Sequence, residues 1–247
     1  PMTDSYAFDV NGPIHVNNGE LTITSQSNFE ILAISVGKLQ SNYSVAVGTP
    51  YTIGPSSYKQ KILYTLNGGE TWTENYDLSG TTIENANIYL RAAFVYDSSL
   101  SIVAGDRAFA FYTYNGGLAT SAAKAWQSIS FPNYMQNSNY SIKSIYINNL
   151  KRLFAGIDVS GSNSFIYWFD LAPNIYTDNN GFSTTSLTNG LFTLDASGIT
   201  AMDGFINDTN TGLWITYGSN IALINIDNST PPASQTITQK RSLYSYK

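Results

Sequence analysis

The chain contains no cysteine and a single histidine, His15, among its 247 residues. Without thiols there is neither a disulfide framework nor a thiol nucleophile, and one imidazole cannot supply the usual ligand set of a zinc site. Serine–histidine catalysis would rest on His15 alone, and no G-x-S-x-G elbow accompanies it. Charge is scarce as well. Charged residues make up 12% of the chain, about half the share of an average soluble protein. The twelve Lys and Arg are scattered and the formal net charge is −5, with a pI near 4.7, so no basic footprint for nucleic acid exists. No apolar run approaches the roughly 18 to 20 residues that span a bilayer, and no basic amphipathic helix is visible. The Gly-Gly pairs lack the G-K-[ST] that opens a phosphate-binding helix. No metal site and no cofactor are expected, with calcium as the one ion that paired carboxylates would admit.

What is abundant is Tyr, Phe, Asn, Ser, Thr and Gly, with eighteen Tyr and twelve Phe. Aromatic rings pack on a pleated, half-buried surface while a phenol still reaches water, so this composition suits strands. An all-β domain of this length can be undivided, and one domain over residues 1–247 is the expectation. Pro1-Met2 reads either as the remnant of a cleaved tag or as the start of a fragment cut from a larger protein. Few Lys and Glu, many Tyr, Asn and Ser, and no cysteine predict a secreted or extracellular protein, of a bacterial or viral surface.

Four apolar segments end on a glycine: Val45-Ala46-Val47-Gly48, Ile102-Val103-Ala104-Gly105, Leu153-Phe154-Ala155-Gly156 and Trp214-Ile215-Thr216-Tyr217-Gly218. Their glycines stand 57, 51 and 62 residues apart, the recurrence of one supersecondary unit at a propeller-like period. Around each, the same order reads as first strand, polar turn, glycine-ended second strand, then a third. In the first repeat these are residues 31–36, 40–42, 43–48 and 61–65. In the fourth they are 199–206, 207–210, 212–217 and 221–226. Short strands between Gly, Asn and Pro turns mark an all-β chain. A single helical turn is expected at residues 120–124. The terminal segments 5–24 and 236–246 are left over, and a propeller can close its ring by joining such ends in one blade. The predicted fold is therefore a five-bladed β-propeller, with four blades or an irregular β-sandwich as the alternatives.

One turn carries a family resemblance. Thr65-Leu66-Asn67-Gly68-Gly69-Glu70-Thr71-Trp72 resembles the Asp-box, S/T-x-D-x-G-x-T-W, of sialidase-like and sortilin-type β-propellers, with Asn67 in place of the usual Asp. Thr113-Tyr114-Asn115-Gly116-Gly117 repeats its first half, and Trp126 follows after an insertion. The resemblance covers about two repeats. It implies a structural turn between third and fourth strands, in which Asn67 bonds turn backbone, Gly68 and Gly69 take positive φ, and Trp72 is buried deeply enough that its removal costs about 3 to 5 kcal/mol. Sialidases of that kind grip a carboxylate with three arginines. Here Arg91 and Arg107 share one repeat and Arg152 belongs to the opposite face, so that activity is not expected.

Three function classes remain. A glycosidase needs two carboxylates, and Asp106 and Asp158 follow the second-strand glycines of neighbouring repeats at what would be the ring mouth. An Asp after a strand also commonly bonds turn backbone. Loop positions Tyr51, Tyr58, Asp106, Arg107, Asp158, Asn163, Tyr134 and Tyr140 instead offer stacking and hydrogen bonds suited to a glycan or a protein surface. The expectation is a non-enzymatic binding module with no catalytic residue assigned. A carbohydrate-active hydrolase and a structural domain of a surface or virion assembly are the alternatives, and the oligomeric state is not legible.

Overall fold

The computed structural model describes residues 15–17, 20–22, 30–37, 42–54, 57–60, 62–75, 87–97, 99–114, 126–171, 182–184, 187–206, 210–227 and 235–242. The chain forms two compact units, Pro1–Val103 with Phe111–Gln127, and Ala104–Ala110 with Ser128–Lys247.

In the first unit His15–Asn17 (β1) and Glu20–Thr22 (β2) make an antiparallel pair. The first larger sheet is built from Ile31–Val36 (β3) and Ser44–Gly48 (β4), then Tyr51–Gly54 (β5) with Ser57–Lys59 (β6) as an inserted hairpin, then Ile62–Thr65 (β7) and Thr73–Asn75 (β8). Its order is β3-β4-β7-β8, antiparallel throughout. The stretch between β4 and β7, read from sequence as a loop, thus holds the β5–β6 hairpin. Leu90–Val95 (β9), Ser101–Gly105 (β10), Ala110–Thr113 (β11) and Gln127–Ser130 (β12) follow as the second sheet, within which the boundary between units falls. β4, β10 and β11 are buried along their whole length. Burial on both faces of a sheet removes the polar alternation, which is why these strands read as continuous apolar runs. β9 packs on β3 and β4, and the Val95 N–H donates to Ser35 Oγ at 2.9 Å.

In the second unit Tyr140–Ile147 (β13), Arg152–Val159 (β14) and Phe165–Asp170 (β15) run antiparallel. The chain then sends Phe182–Ser183 (β16) to pair in parallel with β12 and returns as Asn189–Thr193 (β17) beside β15. Ile199–Ile206 (β18), Asn210–Tyr217 (β19), Asn220–Asp227 (β20) and Gln235–Ser242 (β21) form the last antiparallel sheet in chain order. β18 packs on β13 and β14. At Gly204 a Cβ would lie 2.6 Å from the Tyr146 ring, so this glycine permits the close approach of the two sheets. Asn148 Nδ2 donates to Thr211 Oγ1 at 3.0 Å, and the Met202 N–H donates to Ser144 Oγ at 2.9 Å.

The chain is all-β and its sheets are arranged as four propeller blades. All four glycine-ended segments are second strands of their own sheets: β4, β10, β14 and β19. The blade number is the four-bladed alternative, and among the described residues no fifth, composite blade is formed. β21 is consumed as the fourth strand of the last sheet, while β1 pairs with β2. The helical turn expected at residues 120–124 lies outside the described residues.

Candidate recognition surface

The site is built where β10 turns into β11 and meets the start of β13. Asp106 forms a bridge with Ser141, and Ser141 is also the cross-strand partner of Asp158. One serine thus stands between the two carboxylates singled out from sequence. Ser141 Oγ donates to Asp106 Oδ1 at 2.8 Å. Asp158 Oδ1 accepts from Ser164 Oγ at 2.6 Å and from the Gly198 N–H at 2.8 Å. Both carboxylates therefore act as brackets, one from the β10 turn to the third blade and one from the third blade to the fourth. Hydrogen bonds to a charged acceptor contribute about 1.5 to 3 kcal/mol each.

The turn after Asp106 is unusual. The Phe109 N–H donates to Asp106 O at 3.3 Å and the Gly105 N–H to Phe109 O at 3.0 Å, closing a two-residue hairpin loop over Arg107 and Ala108. Their φ values are 57° and 51°, the φ signature of a type I′ turn, which ordinarily selects Asn-Gly. For a residue with a Cβ the left-handed region costs about 1 to 2 kcal/mol. The Arg107 N–H donates to Tyr140 O at 2.7 Å, which fixes this strained turn against β13. Its side chain is exposed and its guanidinium has no ion pair among the described residues.

Beside it, Pro132 leads into a 3₁₀ turn at Asn133–Met135. Met135 is buried and anchors the turn, while Tyr134 projects with 57% of its surface exposed. The Tyr134 ring meets Tyr140 edge-on at 6.2 Å, and Tyr140 in turn meets Phe165 at 6.3 Å. An aromatic column thus runs from the buried Phe165 to the surface. Partial burial, then the neighbouring Tyr167 and Tyr140, push the Tyr134 hydroxyl up from its ordinary range, so it stays a neutral donor and acceptor. Asn137 Nδ2 donates to Tyr134 O at 2.7 Å and the Ser160 N–H to Asn139 O at 2.8 Å, tying the loops together. Asn163 is exposed in the turn that precedes Ser164.

Of the eight predicted binding residues, Asp106 and Asp158 meet Ser141 on one face of β13, Arg107 bonds the Tyr140 backbone, Tyr134 packs on the Tyr140 ring on the other face, and Asn163 precedes Ser164 in the turn after β14. Tyr51 and Tyr58 belong to the β5–β6 hairpin of the first unit. Ser141, Ser164 and Gly198, which hold the carboxylates, carried no signal in the sequence. No cluster of three metal-ligating side chains occurs among the described residues, and no helix among them is long and apolar enough to cross a membrane. Arg152 begins β14, at the opposite end from Val159, the partner of Tyr140. Its guanidinium binds Asp170 through two contacts of 2.6 and 3.0 Å and lies 4.5 Å from the Trp168 ring centre. It does not join Arg107.

The Thr65–Trp72 turn has the geometry that the motif implies. Asn67 Oδ1 accepts from the Thr71 N–H at 3.0 Å and from Thr65 Oγ1 at 2.8 Å, while Asn67 Nδ2 donates to Thr71 Oγ1 at 2.9 Å. Gly68 and Gly69 have φ of 73° and 97°. Trp72 is half-buried against Ile31, Ala46 and Leu63 of its own sheet, a shallower seat than the sequence implies. Trp126 is buried. Asn115, Gly116 and Gly117 lie outside the described residues.

No protein-family profile matches the chain, and no curated protein matches it. Among solved structures it is similar to YCF48 bound to D1 peptide, at 15% identity and a TM-score of 0.46, over 88% of this chain and 58% of that one. It is similar to YCF48 from Cyanidioschyzon merolae at 15% identity and a TM-score of 0.47, over 85% and 56%. A GH74 enzyme from Niastella koreensis matches at 14% identity and a TM-score of 0.45, over 84% and 30%. These neighbours are β-propellers, and the chain spans a little over half the length of the YCF48 chains.

Proposed function

We propose that this chain is a secreted, non-enzymatic β-propeller module that recognises a glycan or a protein surface through the loops at one end of its third blade. One observation carries the reading. The carboxylates that a hydrolase would need, Asp106 and Asp158, accept hydrogen bonds that bracket neighbouring elements, while the loops around Tyr140 expose much of the Tyr134 ring and the Arg107 side chain. A rigid aromatic body with a polar tip and a guanidinium fork are the groups that make recognition surfaces. The paucity of charge and the absence of cysteine support an extracellular setting. Thr65–Trp72, read as a degenerate Asp-box, is a structural turn and takes no part in binding.

The test is a printed array of glycans and peptides probed with the wild-type protein and with Tyr134→Ala, beside turnover assays on chromogenic glycosides. Binding that Tyr134→Ala removes at an unchanged unfolding midpoint is the expected result. Turnover that disappears in Asp106→Asn or Asp158→Asn replaces the module with a hydrolase.

A further inference from the structure

The first and last of the four blades each expose large apolar side chains on one sheet face, and we infer that these two faces pack on each other between copies of the chain. The fourth blade of one copy seats on the first blade of the next as consecutive blades seat within the chain.

The seating inside the chain sets the pattern. In the third blade the register places Tyr146, Phe154 and Trp168 in one row across β13, β14 and β15. All three are buried, and β18 packs on their sheet with Gly204 against the Tyr146 ring. Both β13 and β18 carry a bulge near their start, and counted from it the same row of the fourth blade is Asp203, Trp214 and Leu223. There Trp214 is 40% exposed, and Phe205, two residues beyond Asp203 on the same face, is 41% exposed. The Phe205 ring lies over Gly212, so the two aromatic side chains adjoin on one surface.

The first blade shows the matching face. β3 turns Ser35 toward β9, and its opposite face carries Ile34 and Val36, 60% and 56% exposed. Counted from the bulge in β3, they stand where Met202 and Gly204 stand in β18. Those are the positions through which the fourth blade seats on the third.

A second copy is the occupant because it brings the missing face in the geometry that this chain already uses. Such a forward-on-back contact is heterologous, each copy contributing a different face. Charge does not oppose it. Among the described side chains the charges on these faces are Asp203 and Glu74, on the edge strands β18 and β8. Seating first strand over first strand puts them at opposite edges, and Asp203 Oδ1 already accepts the Gly204 N–H. Four strands of eight residues make a face of about 500 Å², a size at which exposed apolar surface marks an interaction site. One such junction belongs to the class of weak, reversible contacts. Neither face carries Tyr134 or Arg107, so this contact is separate from ligand recognition.

Sedimentation velocity of the full chain over about a hundredfold range of concentration tests it. Wild type should associate reversibly. Ile34→Glu and Trp214→Glu should each weaken association by about tenfold or more, and Leu150→Glu, at an exposed apolar residue between β13 and β14, should leave it unchanged. Mixing the Ile34→Glu and Trp214→Glu chains should restore association, because each keeps the face that the other lacks. The chain has no cysteine, so Val36→Cys and Asp203→Cys, both at exposed positions, give a second readout. A thiol crosslinker of about 10 Å, the spacing of stacked sheets, should join the two variants when mixed and neither variant to itself. A monomer at every concentration, an equal loss in Leu150→Glu, or crosslinking of one variant to itself in place of the mixed product overturns the head-to-tail contact.

Discussion

The Asp158 carboxylate accepts the Gly198 N–H at 2.8 Å, a bond across 40 residues of sequence that ties the second strand of the third blade to the entry of the fourth. The same oxygen takes the Ser164 hydroxyl at 2.6 Å. Asp106 does the equivalent for the preceding connection through Ser141. A propeller blade cannot bury both faces alone, so bonds between consecutive blades matter as much as the ladder within one.

Removing Asp158 should therefore be a stability lesion. Asp158→Ala leaves a backbone N–H and a hydroxyl without their acceptor, at a cost of about 2 kcal/mol. Chemical denaturation measures it, and an unchanged midpoint would remove the bracket from the account.

Trp72 and Trp168 should differ. Trp168 is 2% exposed and its ring lies so close to Gly190 that a Cβ there would sit 2.5 Å away. Truncating such a buried aromatic costs about 3 to 5 kcal/mol, and the half-buried Trp72 about half of that. Unfolding of Trp168→Ala and Trp72→Ala, measured side by side, checks the order. Gly190→Ala should resemble the Trp168 lesion, because ring and Cβ cannot share the space.

Much of the fold is legible from residues 45–47, 102–104 and 153–155, since strands buried on both faces must be apolar without alternation. The fourth strands are much harder to read. β17 is Asn-Gly-Leu-Phe-Thr, alternately exposed, and its glycine answers to the Trp168 ring, a requirement that exists only after β15 and β17 have paired. The carboxylates are legible as site candidates because Asp follows a strand-ending glycine. Their bracket partners are not, because Ser141 is 35 residues from Asp106 and Gly198 is 40 from Asp158. Arg107-Ala108 lacks the Asn-Gly signature of its turn, so sequence offers the arginine but not its strained backbone.

Alkaline pH should unfold the protein through its buried phenols. Burial pushes the Tyr43 hydroxyl up to about 12. Burial, then the hydrogen bond to Asp195, does the same for Tyr217, also to about 12. A folded-state pKa above the unfolded value of about 10 means stability is complete below pH 10 and is lost as pH rises toward 12. Denaturation midpoints in steps from pH 9 to 12 should fall for wild type and flatten in a Tyr43→Phe, Tyr217→Phe double variant. Identical slopes would contradict this.

Breaking the Arg152–Asp170 pair should cost about 3 kcal/mol, since Arg152 is 3% exposed and stacks on Trp168. Asp170→Ala leaves that guanidinium buried without its counter-charge. Thermal unfolding should show the loss, and ligand binding to the folded fraction should not change, because the pair lies at the end of β14 remote from Tyr140.

The central claim, that carboxylates hold this site together while Tyr134 and Arg107 use it, is tested most directly by one paired measurement on Tyr134→Ala and Asp158→Asn: unfolding midpoint against ligand affinity. The account predicts that Tyr134→Ala loses affinity at an unchanged midpoint and that Asp158→Asn loses midpoint while its folded fraction still binds. Glycoside turnover by wild type that vanishes in Asp158→Asn at full stability would contradict it.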